Sequence, residues 1–141
     1  MNTADNTPRD KSREAVVEYV DRAVALLRRD GYERAAASFQ TNAWHRGDWY
    51  IFILDERGVI LCHPARADMV GKSPENGMFD VRGVPFGRHM VEQGWSPAGR
   101  GWVEYEWPRA DRTIATKHSY VTGVVLDDGT KYIVGSGGFE M

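Results

Sequence analysis

Two residues of this chain stand where a side chain could do chemistry, Lys117 and His63. Lys117 opens the segment Lys117-His-Ser-Tyr-Val121, and His63 closes Val59-Ile-Leu-Cys-His63 just before Pro64. Alternate residues of a strand point to opposite faces of a sheet. Pairing 101–107 with 113–121 as an antiparallel hairpin without a bulge therefore puts Val103, Tyr105, Trp107, Thr113, Ala115, Lys117, Ser119 and Val121 on one face. Lys117 is the only charge in that set. An ammonium group among such neighbours must be paired, lose its proton or reach water. A bound carboxylate would pair it; so would an aspartate such as Asp80, and a reach to the sheet rim would hydrate it. The other face, with Trp102, Glu104, Glu106, Arg112, Ile114, Thr116, His118 and Tyr120, reads as half solvated.

His63 could hydrogen-bond a ligand oxygen or hold the loop that follows it. His45, His89 and His118 stand at no metal-ligand spacing to it, so no metal and no cofactor is expected. A second chemistry is open to the same pair: Lys117 as a Schiff-base amine, or His63 as a general base, acting on a keto acid. No recognisable catalytic motif accompanies them, and the expectation is a binding protein, not an enzyme.

The elements that must position these residues are legible in outline. Thr7-Pro8-Arg9-Asp10 reads as a helix start, with Thr7 as N-cap, and Gly31 as its end. Val16, Val20, Val24 and Leu27 recur at helical spacing between them. A shorter helix is predicted over 32–40, strands over 49–54 and 59–63, a short helix over 86–94, and further strands over 101–107, 113–125 and 131–135. Both faces of the first strand are apolar, which places it inside the sheet. Residues 64–85 hold Gly71, Pro74, Gly77, Gly83 and Pro85 and follow neither period; a stretch that long without structure is usually functional. Gly135-Ser-Gly-Gly138 is not a phosphate loop, because no helix follows it; a terminal strand with a tight bend is the better reading. Helices first and consecutive strands after imply an α+β fold on an antiparallel sheet.

A chain of 141 residues suits one domain spanning 1–141, with 1–7 expected to be disordered. Its 42% hydrophobic content supports one packed core. The net charge of −2 offers no general positive field, which disfavours nucleic acid and anionic lipid as partners. Cys62, the single cysteine, excludes an internal disulfide. With no secretory signal and no membrane-spanning run, the chain as it stands reads as cytoplasmic, and as extracytoplasmic if a flanking membrane segment has been cut away.

Seven segments in order, Trp49-Tyr-Ile-Phe-Ile-Leu-Asp55, Gly58-Val-Ile-Leu-Cys-His-Pro64, Val70-Gly-Lys72, Asp80-Val-Arg-Gly83, Gly101-Trp-Val-Glu-Tyr-Glu-Trp107, Lys117-His-Ser-Tyr-Val121 and Val134-Gly-Ser-Gly137, resemble the single Cache domain family, of its second subtype. The resemblance runs from about Tyr19 to Phe139. It implies a PAS-like fold: a long N-terminal helix packed on an antiparallel sheet of about five strands, with loops on the other face enclosing a ligand pocket. It also implies a sensor of small carboxylates in signal transduction or chemotaxis. On the matching residues Lys117 would contact the carboxylate, with Tyr105, His63, Tyr50, Phe52, Trp102 and Tyr120 as walls or hydrogen-bond donors. Strand parity argues against the last two. The chain shows no transmembrane helix and no kinase, methyl-accepting or cyclase segment, so the expected module hands its state to an unidentified signalling partner or only binds. A third reading is a protein-interaction module, with the long helix forming a homodimer.

Overall fold

The computed structural model describes residues 4–141. Of the stretch 1–7 expected to be disordered, 1–3 lie outside the described residues, while the Asn6 N–H donates to the Ala43 carbonyl at 2.7 Å.

Helix α1 spans Arg13–Asp30 and α2 spans Tyr32–Phe39. The helix start at Thr7 is corrected to Ser12, whose Oγ accepts from the Ala15 N–H at 3.1 Å. The reason is local. The Thr7 N–H and hydroxyl both bond Asp5, and the Asp10 carboxylate takes the Ser12 N–H at 2.8 Å, so neither Thr7 nor Asp10 is free to cap a helix. Gly31 ends α1 as expected, at φ 81°, a conformation that costs glycine little. The 18 residues make α1 about 27 Å long.

Five strands follow: β1 Phe52–Asp55, β2 Ile60–Cys62, β3 Arg100–Pro108, β4 Ile114–Val125 and β5 Lys131–Phe139. They form one antiparallel sheet in the order β2-β1-β5-β4-β3, with β1 internal as its two apolar faces required. Helix α3 occupies Phe86–Gly94, the span the sequence predicts. Two strand limits differ from expectation by more than one residue. Residues 49–51 precede β1 as irregular chain, because Trp49 closes a tight turn with Arg46. Strand β5 continues through Gly135, Gly137 and Gly138 without the expected bend, and pairs them with Val121, Ser119 and His118. A Cβ on Gly137 would come within 2.2 Å of the His118 carbonyl oxygen, so the bare backbone is what lets the strands meet there.

The sheet has a core on each face. On one, Val16, Tyr19, Val20, Ala23 and Leu27 of α1 pack on Ile53, Cys62, Tyr120, Val124 and Val134. On the other, α3 and the loop from His63 cover Phe52, Leu54, Val103, Tyr105, Trp107 and Val121 with Met69, Met78, Phe86 and Met90. Hairpin β3–β4 pairs Tyr105 with Lys117 and Val103 with Ser119, without a bulge, so the parity of this face holds. The opposite face is half solvated, as read: α1 covers its Tyr120 end, while Glu104, Arg112 and Ile114 stand in solvent.

Candidate functional site

Lys117 is the fourth residue of β4 and only 1% exposed, on the face covered by the loop and α3. Its Nζ donates to the Tyr50 hydroxyl at 2.6 Å and stands 4.3 Å from the Tyr50 ring centroid, 5.8 Å from Phe52 and 5.9 Å from Trp107. Three electron-rich ring faces are the surroundings a cation tolerates when water is excluded. They do not replace a counter-ion. Burial drives the Lys117 pKa down to about 7, and only the more distant charge of Asp48 opposes the shift.

Asp80, the aspartate that could have paired with it, is engaged elsewhere. Its carboxylate accepts the N–H groups of Arg82, Val84 and Glu106 at 2.9, 2.8 and 2.8 Å. Asp80 thus ties the long loop to β3 and leaves Lys117 without a carboxylate partner among the described residues.

His63 completes the box. Its ring centroid lies 4.8 Å from Tyr50, 5.7 Å from Trp107 and 6.2 Å from Phe52. Nδ1 accepts the Arg66 N–H at 3.0 Å, which leaves the ring proton on Nε2. Burial, then the charges of Lys117 and Arg66, push its pKa down to about 3. A histidine held neutral this way contributes stability that is fully present above its unfolded pKa of about 6.5 and is lost as pH falls toward 3. Between pH 6.5 and pH 4 this one group should remove about 3 kcal/mol; in His63→Gln, urea unfolding should lose that part of the acid slope.

Tyr105 sits directly across from Lys117, with its hydroxyl 2.9 Å from Ser119 Oγ and its ring stacked on Phe86 at 4.7 Å. Tyr50, Phe52, His63, Tyr105 and Lys117 are therefore brought to one side of the sheet. Trp102 and Tyr120 are not: their rings meet at a tilt of 50° with centroids 5.5 Å apart on the α1 side, where the Arg13 guanidinium covers Trp102 at 4.5 Å. Parity is the physical reason, since an unbulged strand cannot turn even and odd residues the same way. Trp107 belongs to the site and was absent from the expected ligand contacts, although its odd position carried the signal.

Free space lies on two sides of the rings that contact Lys117. Inside, between Phe52, His63, Met78, Phe86, Met90 and Tyr105, only about 10 Å³ is free, about enough for one water. Outside, against Tyr50 and Trp107, a cleft of about 480 Å³ opens between Asp48, Arg66, Arg109, Arg112 and Phe139. Tyr50 and Trp107 are the partition between the cleft and the buried amine. Among the described residues no group of histidine, cysteine and acidic side chains could hold a metal ion, and no helix is long and apolar enough to cross a membrane.

Comparison with known proteins agrees with this architecture. A methyl-accepting chemotaxis protein from Vibrio parahaemolyticus RIMD 2210633 superposes with a TM-score of 0.73 at 17% identity, over 90% of this chain and 87% of that one. A Cache chemosensory domain described for its carboxylic acid recognition gives 0.73 at 24%, over 91% and 92%. A periplasmic sensor domain of a chemotaxis protein gives 0.65 at 22%, over 91% and 90%. At these identities the likeness concerns the fold. No curated protein matches the chain. The family model described as Single Cache domain 2, however, matches residues 14–138, nearly the whole length, and the chain belongs to that family.

Proposed function

We propose that the domain is the sensing part of a signalling system and that it binds a small organic carboxylate through Lys117. The observation that carries this reading is a fully buried amine whose hydrogen-bond acceptor is a neutral hydroxyl. An ammonium group in that position costs free energy until an anion arrives, so a carboxylate gains affinity from relieving the cost. Tyr50 and His63 offer further polar atoms beside it, and the aromatic walls supply apolar contact, the usual composition of a small-ligand pocket. Met78 and Met90, flexible and unbranched, are suited to giving way as the interior opens. The solved neighbour described for carboxylic acid recognition supports the ligand class, and the chemotaxis neighbours support the signalling role.

Thermal-shift and calorimetric titration with two- to four-carbon monocarboxylates and dicarboxylates tests the reading. At a hundred times the dissociation constant, the bound acid should stabilise the fold by about 2.7 kcal/mol. If no member of the series gives a saturable shift, the reading is wrong. A desolvated amine of this kind is also the starting point for Schiff-base chemistry with a keto acid. Borohydride treatment separates the two: a plain binder keeps its mass, whereas an enzyme of that type gains the reduced adduct.

A further inference from the structure

The cleft outside the Tyr50–Trp107 partition carries more positive charge than its own residues neutralise. Arg66, Arg109 and Arg112 line it, with Asp48 as the acid among its lining residues. Arg66 pairs with Asp68 at 2.7 Å and Arg109 with Glu140 at 3.3 Å, acids that do not line the cleft. Asp48 spends one carboxylate oxygen on the Ala110 N–H at 2.6 Å. Arg112 makes no ion pair among the described residues. It stands in the β3–β4 turn at φ 74°, a left-handed conformation unfavourable for any residue with a Cβ, and its N–H is tied to the Arg109 carbonyl at 2.8 Å.

We infer that this cleft is a second anionic subsite and that the ligand is a short dicarboxylate, with one carboxylate on Lys117 and the other on the guanidinium groups of Arg66, Arg109 and Arg112. The inference rests on the proposed role of Lys117 and goes beyond it by naming the class of acid.

Three observations converge. The first is room: the interior between Phe52, His63, Met78, Phe86 and Met90 has about 10 Å³ and the cleft against Tyr50 and Trp107 about 480 Å³, so a ligand that reaches the lysine past these two rings has its body in the cleft. The second is distance. Arg66 Cζ lies 5.5 Å from the Trp107 ring centroid and Lys117 Nζ 5.9 Å from the same point. Two charges that share one ring as neighbour are no farther apart than a four-carbon diacid with a hydrogen bond of about 2.9 Å at each end. The third is ligand chemistry. Guanidinium groups present paired donors that match a carboxylate, and the faces of Tyr50 and Trp107 suit the methylenes between two such ends. The Tyr50 hydroxyl, bonded to Nζ, marks the junction of the two subsites.

The test is calorimetric titration at pH 6.5 with length-matched pairs: malonate and propionate, succinate and butyrate, glutarate and valerate. Within at least one pair the diacid should bind tenfold or more tightly than the monoacid. In the double substitution Arg66→Gln with Arg112→Gln that ratio should fall below three, while Arg34→Gln on the exposed face of α2 should keep it. Equal affinity within every pair, or a ratio that survives the double substitution, overturns the second subsite and leaves the Lys117 reading standing. Failure of all six acids to bind overturns the second subsite, and failure of acetate and oxalate as well overturns both.

Discussion

Lys117→Met should abolish carboxylate binding and at the same time make the unliganded domain more stable, by about 3 kcal/mol at pH 6. The amine has a pKa of about 7 in the fold, against about 10.4 in an unfolded chain. Between those values the unfolded state holds more protons, so the contribution of this group to stability rises with pH; below pH 7 its whole cost, about 5 kcal/mol, is in force. Methionine keeps most of the volume and removes the charge. The loss of the Lys117–Tyr50 hydrogen bond, worth about 1 kcal/mol, and imperfect packing offset part of the gain. Urea unfolding at pH 6 and pH 9 checks the sign. The advantage of the variant should shrink by more than half at pH 9, where the wild-type amine is neutral. A variant less stable than wild type at pH 6 would mean that the ammonium group is not the burden described.

Carboxylate affinity should be level from pH 5.5 to pH 7 and then fall about tenfold per pH unit, reaching a hundredfold loss by pH 9. Only the ammonium form of Lys117 draws an anion in, so above pH 7 each binding event must also take up a proton. The other groups in the box stay constant across that window. Burial pushes the Tyr50 hydroxyl well above its ordinary range, and His63 is neutral above about pH 3. Arg66, on the cleft side, has its pKa raised by its bond to Asp68 and remains charged. Calorimetry at pH 8 in two buffers of different ionisation enthalpy should report uptake approaching one proton per ligand. An affinity unchanged between pH 7 and pH 9, together with its survival in Lys117→Met, would exclude Lys117 as the charged contact.

The two predictions describe one trade. On the proposed reading, the lysine that destabilises the empty domain would be the source of its affinity for an anion, as in other sites where strain or an unpaired charge is kept for function. The Gly135–Gly138 run makes a related point about the scaffold. Glycine weakens an isolated strand, yet here its missing side chains let β5 lie close to β4 and hold Lys117 opposite Tyr105 and Phe139.

Local pattern was a good guide wherever one period ran unbroken. The α3 span, the end of α1 at Gly31, the internal place of β1 and the unbulged hairpin that turns Lys117 and Tyr105 inward were all readable, because period and turn chemistry are properties of neighbouring residues. The start of α1 was misread because Asp5 and Asp10 make short-range bonds that mimic a cap. The extent of β5 was misread because its glycines signal a turn when seen without their partner strand.

Alternation along β4 was enough to assign Lys117 to a side of the sheet, and the ordered segments around it were enough to assign the family. Tertiary packing alone decided that Tyr50, 67 residues away, would be its hydrogen-bond partner, that Asp80 would be spent on backbone N–H groups, and that the free volume would lie beyond Trp107. A repeating pattern reports which way a side chain points. What stands in front of it depends on distant segments meeting, and that is set by how whole surfaces fit together.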